Sequence, residues 1–342
     1  MENFKQNVSL REYSTMRLGG NAAYLTEVED EEALKNAVAA ARALNLPIIM
    51  IGKGSNIIWR DEGYPGLVLV NRIRGFSVKD DEFGSYVTIG SGEIWDEAVA
   101  KTVELGLTGI ECLSLIPGTA GATPVQNVGA YGQEIAQTLV TLSAYDSQTN
   151  HLVTLAALDC GFSYRNSIFK TSAKGRYFIT SITLMLSKAS PLPPFYPAVS
   201  NYLATHGITQ YTPAALRQAV TDIRRAKLPD PNTIANSGSF FYNPIVDSNV
   251  LSTLEERYPA VPHWDADNGQ VKLSAAWLIA QTGFANYYDQ VTGIATWPTQ
   301  ALVFVNQSAN QTAGLLQFAQ QVKTKVAQQF GVELMMEPQL LP

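Results

Sequence analysis

The order of apolar and polar residues over the first 71 positions predicts a small α/β unit. Asp30 is a residue type that caps helices, and it precedes four helically spaced apolar residues, Leu34, Ala37, Val38 and Ala41. Pro47 ends this helix, and the apolar run Ile48–Ile51 predicts a buried strand. We therefore predict a first unit over residues 15–71.

Residues 72–212 have a pattern that favours strands. β-Branched and aromatic residues are frequent in Tyr86–Ile89 and from Tyr177 to Leu186. A helix over about 96–105 interrupts these strands. The pattern predicts a second unit over residues 72–212.

Residues 213–329 return to helical patterns. Thr212 before Pro213 is typical of a helix start. Three apolar stripes predict helices that each bury one face, and the last of these helices spans about 312–329. The stripes are Leu216, Ala219, Val220 and Ile223; Leu273, Ala276, Trp277 and Ala280; and Leu315, Phe318, Val322 and Val326. With a strand over Ala301–Val305, they predict a separate unit over residues 213–329.

Composition places the chain among globular proteins. Its 342 residues are 46% hydrophobic and 16% charged, which is enough apolar material for packed cores. The formal net charge of −6 disfavours binding to nucleic acid or to an anionic membrane. No apolar run reaches the roughly 20 residues of a membrane span, and the first residues lack the apolar stretch of a signal peptide. We therefore expect a cytoplasmic protein.

Cysteines and histidines are few and have no metal-binding spacing. Cys112 and Cys160 are far apart in sequence, so we expect two reduced, partly buried thiols. His151, His206 and His263 form no metal-binding or triad pattern. We predict no metal ion.

Glycine-rich segments indicate a phosphate-bearing cofactor. The run from Ile116 to Gly132 has four glycines and no charged residue, yet it carries Gln126 and Asn127. Glycine lets backbone N–H groups approach a ligand closely, and successive N–H groups form anion sites. Gly52–Asn56 follows a predicted strand, which is a usual place for a phosphate, although an ordinary tight turn explains it equally well.

Three polar residues stand beside apolar ones and are candidates for chemistry. Arg165 could hold a carboxylate or an enolate, or it could be a surface arginine on a turn. Ser239 has no nearby histidine, so it could pass a proton to a carbanion-like centre, or it could be structural. Glu337 beside two methionines could be a usable acid, or it could be a solvated tail residue, and Glu333 is the competing carboxylate.

Taken together, these segments resemble the UDP-N-acetylenolpyruvoylglucosamine reductase family of flavoenzymes. The likeness runs from about Ser14 to Glu337 and rests on motifs that occur in the family's order. The spacing is similar to that of the longer type in the family, in which a tyrosine loop folds over the substrate, and Tyr196 stands at the position of that tyrosine. The motifs are Gly52–Asn56, Ile116–Gly132, Tyr164–Lys170, Lys227–Pro231, Gly238–Phe241, Asn243-Pro244 and Gln300–Val303.

The resemblance implies an α+β fold. Residues 15–71 and 72–212 would form a two-part FAD-binding domain of the vanillyl-alcohol-oxidase (PCMH) type, and residues 213–329 an α+β substrate-binding domain. The tail, about 330–342, would return to the active site beside the second part. The implied FAD contacts are Gly52, Lys53, Gly54, Ser55, Asn56, Ile57, Gly118, Thr119, Gly121, Gln126, Asn127, Val128, Gly129 and Ala130.

The resemblance also implies a reaction. NADPH would reduce FAD and leave, and hydride would then pass to C3 of UDP-N-acetylglucosamine enolpyruvate, giving UDP-N-acetylmuramate for peptidoglycan. Arg165 and Glu337 would stabilise the enolate-like species, and Ser239 would protonate C2. The implied substrate-binding residues are Tyr164, Tyr196, Lys227, Asn243 and Gln300.

Some positions depart from the family pattern, and two other functions stay open. Tyr242 replaces the usual lysine, and Pro338-Gln339 replaces Val-Arg after Glu337, which bears on how the tail docks.

Another FAD-dependent oxidase of the same superfamily, acting on a small alcohol or sugar, is one alternative. A non-enzymatic nucleotide-sugar binder is the other. We expect a monomer in each case.

Overall fold

The computed structural model describes residues 4–342. We predicted no signal peptide at the N-terminus, and the first three residues to which this prediction applies lie outside the described residues. Contacts group the chain into two compact units. The first comprises residues 4–8, Ala22–Lys53 and Pro65–Ala226, and the second comprises Ser9–Asn21, Gly54–Tyr64 and Lys227–Pro342. Both units draw on separated segments, whereas the sequence predicted contiguous ones, and the predicted boundaries stay a prediction.

Strands and helices are distributed over the whole described chain. The strands are β1 Lys5–Ser9, β2 Asn21–Val28, β3 Ile48–Ile51, β4 Ile57–Trp59, β5 Tyr64–Asn71, β6 Phe76–Asp80, β7 Ser85–Gly90, β8 Gly129–Ala130, β9 Gln133–Glu134, β10 Leu139–Asp146, β11 His151–Ala156, β12 Tyr177–Leu186, β13 Asn236–Ser239, β14 Ile245–Asp247, β15 His263–Asp265, β16 Gln270–Leu273, β17 Tyr288–Asp289, β18 Ile294–Trp297, β19 Gln300–Asn306 and β20 Gln339–Leu341. The α-helices are α1 Glu31–Ala43, α2 Trp95–Glu104, α3 Pro197–Thr205, α4 Pro213–Lys227, α5 Ser248–Arg257, α6 Ala275–Ile279 and α7 Thr312–Phe330.

The first unit is built on two sheets. One has the strand order β1-β2-β5-β3, with β3 and β5 parallel. The other is antiparallel, with the order β11-β10-β12-β7-β6. The predicted cap of α1 is confirmed, because Asp30 Oδ1 accepts the Ala33 N–H at 2.7 Å. The predicted α1 stripe is buried in one core cluster, which comprises Leu34, Ala37, Val38 and Ala41 with Leu67 and Leu69 of β5.

The second unit has an aromatic core beside a four-stranded antiparallel sheet. The order of that sheet is β13-β19-β18-β17, and a smaller sheet has the order β14-β16-β15. The predicted stripe of α7 is buried, as is the predicted strand that became β19. The ring of Phe304 in β19 stacks on Phe240 at 4.6 Å and meets Phe318 of α7 edge-on at 4.9 Å.

Two details of the prediction are wrong, and two helices were missed. Leu273 lies in β16 and not in the predicted helix, because α6 begins only after Ser274, whose side chain caps it by accepting the Trp277 N–H at 3.3 Å. The buried face of α6 is formed by residues outside the predicted stripe. Those residues are Ala275, Leu278 and Ile279, while Ala276, Trp277 and Ala280 are half-buried. The strand β3 lies at a sheet edge, and only its last residue is buried. The missed helices are α3, which starts directly after Tyr196, and α5.

Candidate active site

Gly52 brings the two glycine-containing segments together within the first unit. It follows β3 directly, and a Cβ at this position would lie 2.3 Å from Thr119 Oγ1, closer than real Cβ atoms come to a neighbour. Gly52 and Lys53 therefore adjoin the Ile116–Gly132 run. The other four predicted FAD residues of this loop, Gly54, Ser55, Asn56 and Ile57, belong to the second unit.

Two backbone amides of the Ile116–Gly132 run donate within the protein. The Gly121 N–H donates to Ser91 O at 2.9 Å, and the Val128 N–H donates to Thr123 O at 3.0 Å. A Cβ at Gly121 would lie 2.4 Å from the Ser91 Cβ, so glycine is needed here for packing. The expectation that the amides of this run face a ligand is therefore wrong for these two positions.

Asn127 uses its side chain to fix the loop. Its backbone is left-handed, with φ of 45°, and its side chain is buried. Its Nδ2 donates to Ser163 O at 3.2 Å, and its Oδ1 accepts the Ala136 N–H at 3.1 Å. The amide that suggested ligand binding thus ties the glycine-rich run to the segment that carries Arg165.

Arg165 contacts the same run directly. It is left-handed, with φ of 54°, and its Nη2 donates to Gly129 O at 2.5 Å. Gly129 and Ala130 form the short strand β8, so the guanidinium borders the predicted FAD residues of the first unit. The ring of Tyr164 lies 5.5 Å from the Arg165 guanidinium carbon.

Tyr196 packs on a tyrosine of the glycine-rich run. The rings of Tyr196 and Tyr131 meet edge-on, with their centroids 5.6 Å apart. Tyr196 is 38% exposed and stands at the N-terminus of α3, where Pro197 begins the helix. In the first unit the structure therefore gathers Arg165, Tyr164 and Tyr196 around one segment.

The second unit places the chain tail beside the strand of Ser239. Ser239 ends β13 opposite Val303 of β19. The Glu337 N–H donates to Phe240 O at 3.0 Å, and the Gln339 N–H donates to Asn56 O at 2.9 Å. Glu337 thus lies between the Ser239 strand and the second half of the Gly52–Asn56 loop.

The departure at Pro338-Gln339 does not prevent the tail from docking. Backbone pairing between β20 and β4 holds the tail, with Gln339 opposite Ile57 and Leu341 opposite Trp59. This pairing uses main-chain groups, so it does not require the arginine found in the family pattern. Glu333, the competing carboxylate, is exposed.

The predicted substrate-binding residues of the second unit differ in their exposure and in their hydrogen bonds. Lys227 ends α4 and is exposed, and its carbonyl accepts the Thr299 hydroxyl at 2.8 Å, next to Gln300. Asn243 Oδ1 accepts the Ala275 N–H at 3.0 Å, at the start of α6. Phe240 and Phe241 are fully buried core residues.

Comparisons with known proteins identify the family. A family model described as "FAD binding domain" matches residues 22–155, and one described as "UDP-N-acetylenolpyruvoylglucosamine reductase, C-terminal domain" matches residues 230–341. The UDP-N-acetylenolpyruvoylglucosamine reductase of Pseudomonas syringae pv. syringae is 38% identical over 97% of both chains. That of Chromobacterium violaceum is 37% identical over 99% of both chains. The chain belongs to the UDP-N-acetylenolpyruvoylglucosamine reductase family.

The fold agrees with this family. The crystal structure of UDP-N-acetylenolpyruvylglucosamine reductase from Thermus caldophilus aligns with a TM-score of 0.67 at 21% identity, covering 99% of this chain and all of that one. The predicted fold class and the predicted cofactor FAD are both confirmed, the latter by the FAD-binding family model. Among residues 4–342, no helix is long and apolar enough to cross a membrane, and no cluster of His, Cys, Asp and Glu could hold a metal ion.

Buried hydroxyl groups near Gly54 test whether this reductase chain fits FAD. In the described part of the chain, Thr15 Oγ1 and Ser237 Oγ are buried with no hydrogen-bond partner. Both lie on segments joined to the loop, because Thr15 N–H donates to Gly54 O and Asn236 N–H donates to Thr15 O, each at 3.1 Å. Orphaned hydroxyls beside a glycine turn suit the polar groups of a bound cofactor.

Sequence reasoning missed both of these hydroxyl groups. Thr15 and Ser237 are small polar residues in short segments, and no periodic pattern distinguishes them. Only Ser237 had a signal, since it directly precedes the Gly238–Phe241 motif that contains Ser239. The residues present therefore fit FAD, and Thr15 and Ser237 are added to the candidate FAD contacts.

Proposed function

We propose that this protein uses NADPH to reduce UDP-N-acetylglucosamine enolpyruvate to UDP-N-acetylmuramate, with FAD as its cofactor. The carrying observation is the near full-length likeness, at 37–38% identity, to two proteins named as this reductase. The chain is accordingly an FAD-dependent oxidoreductase of peptidoglycan precursor synthesis.

The proposed mechanism divides the work among three side chains. When bound, FAD supplies the hydride that adds to C3 of the enolpyruvyl ether. Hydride addition leaves negative charge on C2 and on the adjacent carboxylate, and we assign its stabilisation to Arg165 and Glu337. Preorganised groups aimed at developing charge are usually the largest catalytic contribution.

Ser239 is the proposed proton donor to C2. Its position supports this role, because the next residue, Phe240, accepts a hydrogen bond from the Glu337 backbone, so the hydroxyl and the carboxylate are carried by two backbone segments that are hydrogen-bonded to each other. Glu337 itself is half-buried. Proton delivery to C2 completes the reduction, since hydride and proton together saturate the double bond.

We propose that five residues hold the substrate. Tyr164, Tyr196 and Lys227 have exposed side chains, and Lys227 offers a compact positive charge for a phosphate. The side-chain carbonyl of Asn243 accepts a backbone N–H, so its NH₂ group is the part that remains to donate. Gln300, the fifth, begins β19.

Oligomeric state and location are also proposals. We propose a cytoplasmic monomer that binds neither nucleic acid nor membranes, and the formal net charge of −6 supports this. Sedimentation velocity of the FAD-loaded protein tests the monomer, and a mass twice that of the chain would contradict it.

A two-step experiment tests the function. The purified protein is first reduced by NADPH without oxygen, and bleaching of flavin absorbance is followed. The reduced protein is then mixed with one equivalent of UDP-N-acetylglucosamine enolpyruvate. We expect flavin absorbance to return in step with formation of UDP-N-acetylmuramate. If the reduced flavin were reoxidised by an aldehyde or ketone derived from a small alcohol, but not by the enolpyruvyl nucleotide, the protein would instead be the alternative oxidase.

A further inference from the structure

Arg224 of α4 is a partly buried cation with an incomplete set of hydrogen bonds. Its Nε is buried, and none of the described residues accepts a hydrogen bond from it. Its guanidinium hydrogen-bonds the phenol of Tyr131, and burial lowers the pKa of Arg224. Because the ordinary pKa of arginine is above about 12, the group still carries its charge at neutral pH.

The Asp96 carboxylate interacts with two arginines, Arg217 and Arg224. Asp96 accepts two hydrogen bonds from Arg217, at 2.6 and 3.1 Å, and a third from the Leu115 N–H at 2.6 Å. Asp96 is also the carboxylate that attracts Arg224. Its oxygens are occupied by Arg217 and Leu115, so Arg224 has electrostatic support from Asp96 without a carboxylate of its own.

Two neutral side chains and a second carboxylate lie close by. Burial raises the pKa of the Cys112 thiol to about 12 and raises the pKa of Tyr131, so both are uncharged at pH 7. Glu111, which lies near Cys112, accepts the Gly109 N–H at 2.6 Å. The Nε of Arg224 therefore has no charged acceptor among the described residues, although Asp96 and Glu111 both lie in this part of the unit.

Arg224 lies close to the tyrosine loop, within the first unit. Tyr131 joins Arg224 to Tyr196, because its hydroxyl bonds the guanidinium and its ring packs on the Tyr196 ring at 5.6 Å. Arg224 retains some exposed surface, although its Nε is buried. A cation without its own carboxylate, beside a partly exposed tyrosine, is suited to an anionic ligand.

We propose that Arg224 binds a phosphate of the nucleotide substrates beside Tyr131 and Tyr196. The inference rests on the proposed function, which supplies two phosphate-bearing ligands, the UDP-sugar and NADPH. A planar guanidinium can make two parallel hydrogen bonds to phosphate oxygens, and these charge-assisted bonds are stronger than neutral ones. The phosphate would supply the negative charge that Asp96 does not.

Binding measurements on the FAD-loaded protein test the assignment. Calorimetry compares UDP with uridine, and NADP⁺ with NAD⁺, which bind without reducing the flavin, for the unmodified protein and for Arg224→Gln. The control is Arg225→Gln, which removes the same charge from the exposed neighbouring residue. We expect Arg224→Gln to weaken UDP binding by about ten- to hundredfold and to leave uridine binding unchanged. Arg225→Gln should leave both unchanged.

The two ligand pairs separate the possible sources of the phosphate. A loss for UDP relative to uridine assigns Arg224 to the diphosphate. A loss confined to NADP⁺, with NAD⁺ and UDP unaffected, assigns it to the additional phosphate of NADPH. Equal losses for UDP and uridine, or no difference between the Arg224 and Arg225 variants, would overturn the proposal.

A conservative variant keeps the test decisive if Arg224→Gln does not fold. Arg224→Lys retains the charge but cannot form two parallel bonds, so we expect a several-fold loss of UDP affinity at unchanged uridine affinity. Unchanged affinity for both UDP and NADP⁺ would contradict the assignment. Failure of the proposed function is distinguishable, because the unmodified protein itself would then show no NADPH-dependent reduction of the enolpyruvyl nucleotide.

Discussion

Ser239 carries a role that can be separated from the rest of the reaction. A proton donor acts only after hydride addition, so Ser239→Ala should leave reduction of the flavin by NADPH unchanged. Reoxidation by the enolpyruvyl substrate should slow by about 10²- to 10⁴-fold. Stopped-flow absorbance of the flavin measures both halves. The control is Ser252→Ala on α5 of the same unit, and equal damage to both halves would contradict the role of Ser239.

Both cysteines should resist thiol reagents in the folded protein. Cys112 and Cys160 are free and buried, more so than the sequence suggested. Burial raises the pKa of Cys112 to about 12 and that of Cys160 to about 11, so little reactive thiolate exists at pH 8. We expect iodoacetamide to label neither thiol at pH 8 until urea unfolds the protein. Rapid labelling of either in the native state would contradict this.

At the scale of elements, local patterns predicted helices and strands well and predicted pairings poorly. The cap at Asp30, the Thr212-Pro213 start and the stripe of α7 depend on residues within a few positions, so they are readable from the sequence. The pairing of β20 with β4 joins residues more than 280 positions apart, and no local pattern encodes it. The same limit hid Thr15 and Ser237, whose meaning depends on their distant neighbours.

Gly52 should tolerate alanine only if Thr119 is shortened. The Cβ of Gly52→Ala would fall 2.3 Å from Thr119 Oγ1, and such overpacking costs about 1–3 kcal/mol. We expect a lower melting temperature and weaker FAD binding. Thr119→Ala removes the clashing atom, so the double variant should recover much of both, as measured by thermal unfolding and FAD titration. A double variant worse than Gly52→Ala would refute this steric explanation.

The tail should lose its position when one backbone donor is removed. Gln339→Pro cannot donate to Asn56 O, which leaves a strand hydrogen bond unmade at a cost of about 1–3 kcal/mol. This bond lies two residues from Glu337, so its loss should displace that carboxylate. If the lost free energy appears in the barrier, we expect flavin reoxidation by the enolpyruvyl substrate to slow at least about tenfold. Gln339→Ala keeps the donor and should behave like the unmodified protein. Equal rates for the two variants would show that β20 does not position Glu337.

At the scale of the whole molecule, the sequence order of the motifs predicted more than any single motif did. Gly52–Asn56 by itself was equally compatible with a tight turn, and in the structure its residues are divided between two units. The interleaving of Ser9–Asn21 and Gly54–Tyr64 with the C-terminal half could not be read from hydrophobic periodicity, which reports only on near neighbours. The family resemblance supplied the fold because it joins distant segments.

The stability of the protein should depend on pH through a carboxylate of the first unit. Hydrogen bonds from Arg176 hold the pKa of Asp146 well below its ordinary value, and the Asp146 side chain is only 2% exposed. A depressed pKa in the folded state means that this stabilisation is complete above the unfolded value of about 3.9 and is lost as pH falls towards the folded value. We therefore expect Asp146→Asn to lower the urea midpoint clearly at pH 7, and the gap to the unmodified protein to narrow below about pH 4. Asp80→Asn, which breaks an exposed pair with Lys188, should have little effect at pH 7. A gap for Asp146→Asn that stayed constant from pH 7 to pH 3 would show that the ion pair is not its cause.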